Sequence, residues 1–450
     1  MKLNPTLLEV TLFVLSGVVL YVWLVYGKRL QRWWKDLYKR YRRPRQLRPR
    51  EPEDCPLCHA PFVRLPRRAH PEVIPWSEIR SPRGRKKRID TSGYACLNKD
   101  CHYFAVRDAS VHALVSDGRR GQDKDILYLR CQACDKRFSS RLGTPLYHLR
   151  TPLRRIATVM TALSEGVDLA AAGRIFGHHA STFTRWLERG GAHSERLHER
   201  LLFRALEPGH VQLDELVTKV RMGEGKLWLW TAITAHSKLI LAVHLGGRTI
   251  EDACVLIHRM SQRLVAGCLP VFTTDGLNQY FYGLTAHVGF WSKPPRARKY
   301  HWFPDPRLLY AQLRKARSGR SVHFLYSIMR LGERADLIDE LLSQGLSGKV
   351  QTAYVERANL TLRELIAPLS RRTWSLAYDE RHLWRHLQWG LAYYHLSRSH
   401  SSLRVRVRGP SKYRYRSPAM AAGVTRRRWS VADILQLPMP EDVWLQIPSA

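Results

Sequence analysis

Between residues 211 and 274 the chain alternates short apolar runs with polar turns, in an order that predicts three strands, a helix and a fourth strand. Residues 211–218, 227–235 and 239–245 are rich in aliphatic, aromatic and β-branched side chains, and their close succession predicts an antiparallel meander. The periodicity then becomes helical. Ala253, Leu256, Ile257, Met260 and Leu264 fall on one face, and Thr249 and Asp252 stand ahead of them at capping-box spacing. Residues 269–274 read as the fourth strand. Upstream, residues 153–200 read as helical. A short helix over 168–176 carries Ala170, Ala171 and Ala172, Gly177 turns the chain, and a second helix runs over 181–188. Phe183, Trp186 and Leu187 share a face of that helix, while Thr182 and Arg185 point away. This spacing predicts a helix-turn-helix that presents Ser181, Thr182 and Arg185 to a DNA groove. Two small core helices around an accidental glycine turn are the alternative.

The N-terminus follows a different pattern. Residues 7–26 are apolar apart from polar breaks and the single acid Glu9, and twenty residues of helix span about 30 Å, one hydrocarbon core. Trp23 and Tyr26 suit the interface, and Lys28, Arg29, Arg32, Lys35, Lys39 and Arg40 follow. The expectation is a membrane anchor with the rest of the chain in the cytoplasm. No small-residue cleavage site argues for a removed signal peptide. A buried helix, or a start set too far upstream, is the competing reading. Residues 42–52 are Pro- and Arg-rich and read as a linker. Arg80, Arg83, Arg85, Lys86, Lys87 and Arg88 read as a phosphate-touching loop or a solvated charge run.

Composition sharpens this picture at one point. With 450 residues and 44% hydrophobic content the chain can bury a sizeable core, but 74 Lys and Arg against 38 Asp and Glu give a net charge of +36. Such a field attracts polyanions, nucleic acid first among them.

Six of the eight cysteines lie between residues 55 and 134, as Cys55-x2-Cys58, Cys96-x4-Cys101 and Cys131-x2-Cys134. Closely spaced thiolate pairs suit tetrahedral zinc better than disulfides in a reducing compartment. Cys96, Cys101, Cys131 and Cys134 are the expected structural zinc site. Cys55 and Cys58 are left over, either free or in a second site with His59 or His70. Buried reduced thiols are the alternative for the four. Cys254, on an apolar helix face, and Cys268, before a strand, read as core.

Three acids sit where a surface charge would be out of place. Asp214 interrupts a strand in VQLDELV, and Asp275 ends another in VFTTDGLNQYFY. Glu356 lies on the helix YVERANLTLR, with Arg363 seven residues on and facing the same way. Carboxylates brought together repel unless cations neutralise them. Mg²⁺ takes such hard oxygen ligands, and two ions about 3.5–4 Å apart can cut phosphodiesters. Each acid also has a plainer reading. Asp214 would guard a strand edge, with Glu215 as the ligand instead; Asp275 with Gly276 is a common turn pair; Glu356 would pair with Arg357 or Arg363.

In order along the chain come YLRCQACDKRFSSRLGTPLY, EGVDLAAAGRIFGHHASTFTRW, VQLDEL, TTDGLNQYFYGLTAHVG, YVERANLTLRELIAPLSRRTW, AYYHLSRSHSSLRV and SPAMAAGVTRRRW. These segments, from about residue 96 to 428, resemble the insertion-sequence transposases of the IS-one type, within the DDE superfamily. The resemblance, joined to the reading of the N-terminal residues, gives a multidomain α+β and α/β chain. The residues themselves suggest an N-terminal hydrophobic helix (1–30) and a basic linker (31–52); a zinc-binding module (53–150) and a helix-turn-helix (151–205) would come next. A ribonuclease H-like mixed-sheet catalytic domain (206–403) and a basic C-terminal tail (404–450) would follow. Its first and fourth strands would be neighbours and bring Asp214 to Asp275. It implies Asp214, Asp275 and Glu356 as a catalytic triad holding two Mg²⁺ or Mn²⁺ ions, Arg363 as a phosphate contact and His400 in a downstream histidine segment. The implied partners are double-stranded DNA, as element ends and target, and further copies of the chain assembled on it. The N-terminal hydrophobic run departs from the family pattern. A catalytically idle DNA-binding regulator, tethered to the membrane, and a nuclease that cuts without joining are the rival readings.

Overall fold

The computed structural model of the chain describes Cys55, Cys58, Ala60, Thr91 and residues 73–79, 93–121, 124–295, 298–318, 321–407 and 412–439. All belong to one unit, Asp54–Ala450. The apolar run at 7–26, the linker at 42–52 and the basic tract at 80–88 lie outside the described residues. Among the described residues no helix is long and apolar enough to cross a membrane.

The protein mixes helix and sheet around one six-stranded mixed sheet. After a one-turn helix α1 (Trp76–Ile79), a small antiparallel sheet forms from β1 (Leu114–Arg120), β2 (Ile126–Cys131) and β3 (Arg137–Ser139). Helices α2 (Leu153–Ser164), α3 (Leu169–Phe176) and α4 (Ala180–Leu202) follow. The main sheet comprises β4 (His210–Thr218), β5 (Leu227–Thr234), β6 (Ile240–Gly246), β7 (Val271–Thr274), β10 (Tyr310–Ser318) and β11 (Ser321–Leu331), in the order β11-β10-β7-β4-β5-β6. The central strands β4, β7 and β10 run parallel; the remaining pairs are antiparallel. Helix α5 (Ile250–Ser261) makes the crossover from β6 to β7, and α6 (Gln279–His287) follows β7. The hairpin β8 (Gly289–Ser292) and β9 (His301–Pro304) precedes β10. Helices α7 (Arg334–Ser343), α8 (Ala353–Leu365) and α9 (Glu380–Ala392) come after β11. The described residues end with hairpin β12 (His400–Arg406) and β13 (Tyr413–Arg416), then α10 (Pro418–Ala421) and α11 (Val431–Gln436).

Side-chain alternation along β4 and β5 divides the interior in two. Val211, Leu213, Trp230 and Ala232 face one core, with Ala253, Leu256, Ile257 and Met260 of α5. Leu216, Leu229 and Ile233 face the other, with Val355, Ala358, Leu362 and Leu365 of α8 and Leu383, Leu387 and Leu391 of α9. The meander and the fourth strand lie where their apolar runs predict, within one or two residues. The capping box forms as expected: Thr249 accepts from the Asp252 amide, and Asp252 accepts from the Thr249 amide.

The structure departs from the sequence expectation in three places. The second helix of the turn motif does not stop near residue 188 but runs unbroken through Ala180–Leu202. Gly190 and Gly191, inside that helix, are there for contact with α9. A Cβ on Gly190 would meet Trp389 at 3.0 Å, and one on Gly191 would lie 2.1 Å from the Arg385 carbonyl oxygen. The residues read as a basic tail are folded: Trp429, Val431, Ile434, Leu435, Leu437 and Met439 are buried in the core shared with α2 and α4. The Met439 amide donates to the Gly143 carbonyl at 2.8 Å. That core runs from Leu146 to Met439, so the helices at 153–202 and the main sheet pack as one body rather than as separate modules. Finally, the β10–β11 hairpin adds two strands to the main sheet that sequence reading did not foresee.

Gly191→Ala forces its methyl against a backbone carbonyl that cannot swing aside, so we expect a loss of about 2–3 kcal/mol. Denaturant unfolding measures it. An unchanged midpoint would show that α4 and α9 do not meet as closely as described.

Candidate functional site

The parallel pairing of β4 with β7 brings two acids together. Its last registered pair is Leu213 with Thr274, so Asp214, midway along β4, stands level with Asp275, the first residue past the end of β7. At the carboxyl ends of parallel strands the backbone opens toward a crevice, the usual place for ligands in such sheets. Asp275 Oδ1 accepts from the Leu277 amide at 3.0 Å, which turns the chain out of β7. Carboxylate oxygens of Asp214, Glu215 and Asp275 all lie within 4.8 Å of one another.

Neighbours on the strand face opposite sides, and the two acids of β4 have different partners. Asp214 points to α8, where Asn359 Nδ2 donates to its Oδ2 at 2.8 Å. Burial, then Glu215 and Asp275 nearby, lifts its carboxyl to about 7. Glu215 points toward α6, with its side chain 3% exposed. Arg248 donates to its Oε1 at 2.6 Å, and the Tyr280 hydroxyl donates to its Oε2 at 2.9 Å. Burial raises the Glu215 carboxyl too. Both its oxygens already have donors, as suits an acid that holds the site together.

The helix that carries Glu356 is docked by a residue of the same strand. Gln212 is fully buried two positions before Asp214 and on the same face. Its Oε1 accepts from the amides of Tyr354 at 2.9 Å and Val355 at 3.0 Å, and its Nε2 donates to the Gln351 carbonyl at 2.7 Å. First-turn amides of a helix lack internal partners, and Thr352 at the N-cap makes no side-chain cap. Gln212 therefore does the capping from across the fold.

Glu356 does not join the acidic group. It is half-exposed and accepts from Lys315 Nζ at 3.3 Å and Thr352 Oγ1 at 3.1 Å. The expected triad is thus assembled only as Asp214 with Asp275, with Glu215 as the third acid of the cluster. The physical reason is that Lys315, on the unforeseen strand β10, offers Glu356 a partner on the outer side of α8. Such an exposed pair contributes at most about 1 kcal/mol, so the side chain is weakly held. Arg363 is half-buried, and its Nε has no hydrogen-bond partner. Burial lowers its pKa, Arg371 adds to this, and Asp214 opposes it. Sequence reading passed over Asn359, although it lies three residues after Glu356 and four before Arg363, on their face. It also passed over Gln212 as a helix cap, which nothing local signals.

The group fits a hard divalent cation. Three carboxylates are crowded, one is held near 7 for want of a counter-charge, and the Asn359 Oδ1 beside them is buried without a hydrogen-bond partner. Oxygen donors of this kind suit Mg²⁺ or Mn²⁺.

The cysteines form a separate centre. Sγ atoms of Cys96, Cys101, Cys131 and Cys134 lie within 4.8 Å of one another. Cys96 to Cys134 is 3.8 Å and Cys101 to Cys131 is 3.7 Å. A tetrahedron of sulfurs around zinc has an edge of roughly 3.8 Å, from a Zn–S bond of about 2.3 Å. The neighbouring Cys96 thiol, with the amides of Cys134 and Ala133, lowers the Cys131 thiol to about 5 despite burial. A thiolate is therefore already favoured at one corner, and these cysteines can hold a metal such as zinc. Beside the remaining pair, Cys55 and Cys58, stand His258 and His287; the expected partners His59 and His70 lie outside the described residues.

In the turn motif, Asp168 caps α3 through the Ala171 amide at 2.8 Å, and Gly177 ends it at φ 67°. Phe183, Trp186 and Leu187 are buried. Ser181 and Arg185 are exposed at the start of α4, and Thr182 is half-buried. His400 starts β12, away from the acids, where burial and then Lys238, Arg357 and Arg398 lower its pKa.

No protein-family model matches this chain, and no curated protein matches it.

The raised Asp214 carboxyl sets a pH dependence. Between its ordinary value of 3.8 and about 7 the folded state holds a proton that the unfolded state has released. Stability without added divalent ions should therefore fall as pH rises through that window. We expect a decline on the order of 2–4 kcal/mol between pH 4.5 and 7.5, mostly absent in Asp214→Asn and reversed by millimolar Mg²⁺. Thermal melts across this range, in which the wild type and the variant keep the same slope, would overturn the assignment.

Proposed function

We propose that this chain is a DNA transposase of the IS-one insertion-sequence type, built on a ribonuclease H-like catalytic domain. One observation carries the reading. Asp214 within β4 and Asp275 just past the parallel neighbour β7 stand side by side, with oxygens within 4.8 Å, beside a helix bearing Glu356 and the orphaned acceptor of Asn359. The sheet supports it: an antiparallel meander feeds a helical crossover into a central parallel strand, the strand order expected of that fold.

Asp214 and Asp275 would hold Mg²⁺ or Mn²⁺, and Glu356 would complete the set by leaving Lys315. Two ions so held supply a Lewis acid on each side of the scissile phosphate. The chain's own residues do the rest. Glu215, fixed by Arg248 and Tyr280, keeps the strand end in shape. Arg363 and the Lys315 released by Glu356 contact the backbone phosphates. Ser181, Thr182 and Arg185 meet the bases of the element end, and the charge of +36 draws in both duplexes. Water first attacks the phosphodiester at the element end, and the strand departs as a free 3′-OH. That hydroxyl then attacks the target phosphodiester, and one target 3′-oxygen leaves. Joining two ends to one target calls for more than one copy of the chain on the DNA. DNA as substrate also requires that residues 55–439 face the cytoplasm; an anchor at residues 7–26 would add tethering and no chemistry.

A second reading follows from the cluster itself: Glu215, not Glu356, is the third metal ligand. Substitutions separate the two. Asp214→Asn, Asp275→Asn and Glu356→Gln should each reduce Mg²⁺-dependent cleavage and strand transfer by at least about a thousandfold, with end binding nearly unchanged. Glu215→Gln should retain activity within about tenfold. Near-normal turnover in Glu356→Gln with a dead Glu215→Gln would transfer the role to Glu215, and full activity in Asp214→Asn would end the transposase reading.

A further inference from the structure

Cys55 and Cys58 open the described chain, whereas His258 and His287 belong to α5 and α6, some two hundred residues later. We propose that these four side chains form a second zinc site, a Cys₂His₂ tetrahedron that fastens the N-terminal knuckle to the α5–α6 pair. Their ligand atoms lie within 4.8 Å of one another. Cys55 Sγ is 3.7 Å from His287 Nε2. A sulfur and a nitrogen on one tetrahedral zinc are separated by roughly 3.6 Å, given bonds of about 2.3 and 2.05 Å.

The histidine is set for the task. His287 Nδ1 lies 3.0 Å from the Gly283 carbonyl. A carbonyl only accepts, so Nδ1 carries the proton and Nε2 turns its lone pair toward Cys55. Metal-bound histidines are commonly oriented through their other nitrogen in this way. His258 and His287 face each other with ring centroids 5.8 Å apart. This closeness needs Gly283: a Cβ there would come within 3.2 Å of Ile257 and 3.3 Å of Ala253 on α5. On the cysteine side, the Cys55 amide donates to the Ala60 carbonyl at 2.9 Å, and this reversal turns both thiols one way.

Burial and charge agree with zinc. Cys55 is 4% exposed and His258 2%. On binding, the two thiols release their protons to solvent, and two thiolates with two neutral imidazoles around Zn²⁺ carry no net charge. A neutral complex is the form least penalised in a buried setting. Sulfur with imidazole in a tetrahedron selects zinc over Mg²⁺. The site is independent of the catalytic reading, since none of its ligands belongs to the acidic cluster.

The test is zinc content of the full-length protein, prepared without chelator, by elemental analysis. Wild type should hold two zinc ions per chain, and Cys131→Ser, Cys58→Ser and His287→Gln one each. Cobalt reconstitution identifies which ion remains: the four-thiolate spectrum should survive in His287→Gln and disappear in Cys131→Ser. That surviving spectrum also shows that His287→Gln has folded. Cys254→Ser, one turn from His258 and outside the ligand set, should keep two. The proposal is overturned if wild type holds a single zinc that Cys131→Ser removes. It is equally overturned if His258→Gln and His287→Gln both keep two, or if Cys254→Ser loses the second ion as readily as His287→Gln.

Discussion

The parallel register of β4 on β7 governs more of this molecule than any other contact. It sets two carboxylates at one level in a partly buried crevice, where burial, Glu215 and Asp275 oppose the ionisation of Asp214. Sliding β4 by one residue would turn Asp214 toward α6 and Glu215 toward α8, and would carry Gln212 away from the helix end that it caps. The same register therefore decides which acid is crowded, which is neutralised by Arg248 and Tyr280, and how deeply α8 docks. Repulsion among the acids is the unfavourable part of this arrangement. The apolar packing of Leu213 and Leu216 on opposite faces holds the strand in place against it.

Features encoded within a few residues were legible in the sequence. The meander follows from alternating apolar positions, the start of α5 from Thr249 and Asp252, and the cysteine centre from spacing alone. Asp214 and Asp275 were legible because each breaks an otherwise apolar run. What stayed hidden depends on partners far along the chain. Glu356 faces Lys315 because β10 lies next to β7 in the sheet, and β10 carries too many basic residues to read as a strand. Nothing local tells that Arg385 and Trp389 press against Gly190 and Gly191 and let the helix run on past residue 188. Nor does anything near Cys55 point to His258 and His287, which read as ordinary members of their helices.

Two kinds of donor set divide the labour in this chain. Thiolates gather in the N-terminal segments, one pair of them against two imidazoles of α5 and α6; cross-linking through a metal can there take the place of apolar bulk. Carboxylates and an amide gather at the strand ends, where a large core already fixes the geometry and the ligands need only be hard and close. Under the two proposals, the chain would separate soft structural donors from hard reactive ones, and chemistry as well as distance would keep zinc and magnesium from competing for the same residues.

The contact of α4 with α9 has a further consequence. Helix α4 runs for 23 residues without a break, about 34 Å at 1.5 Å per residue. The glycine pair locks its middle onto the body that carries the acids. Under the transposase reading, the bases met at one end of that rod and the bond cut at the acids are held at a constant separation, as by the jaws of a gauge. The number of base pairs between recognition and scission would then be a property of the protein. Adding one residue to the rod upstream of the glycines would turn its tip by about 100° and shift the gauge.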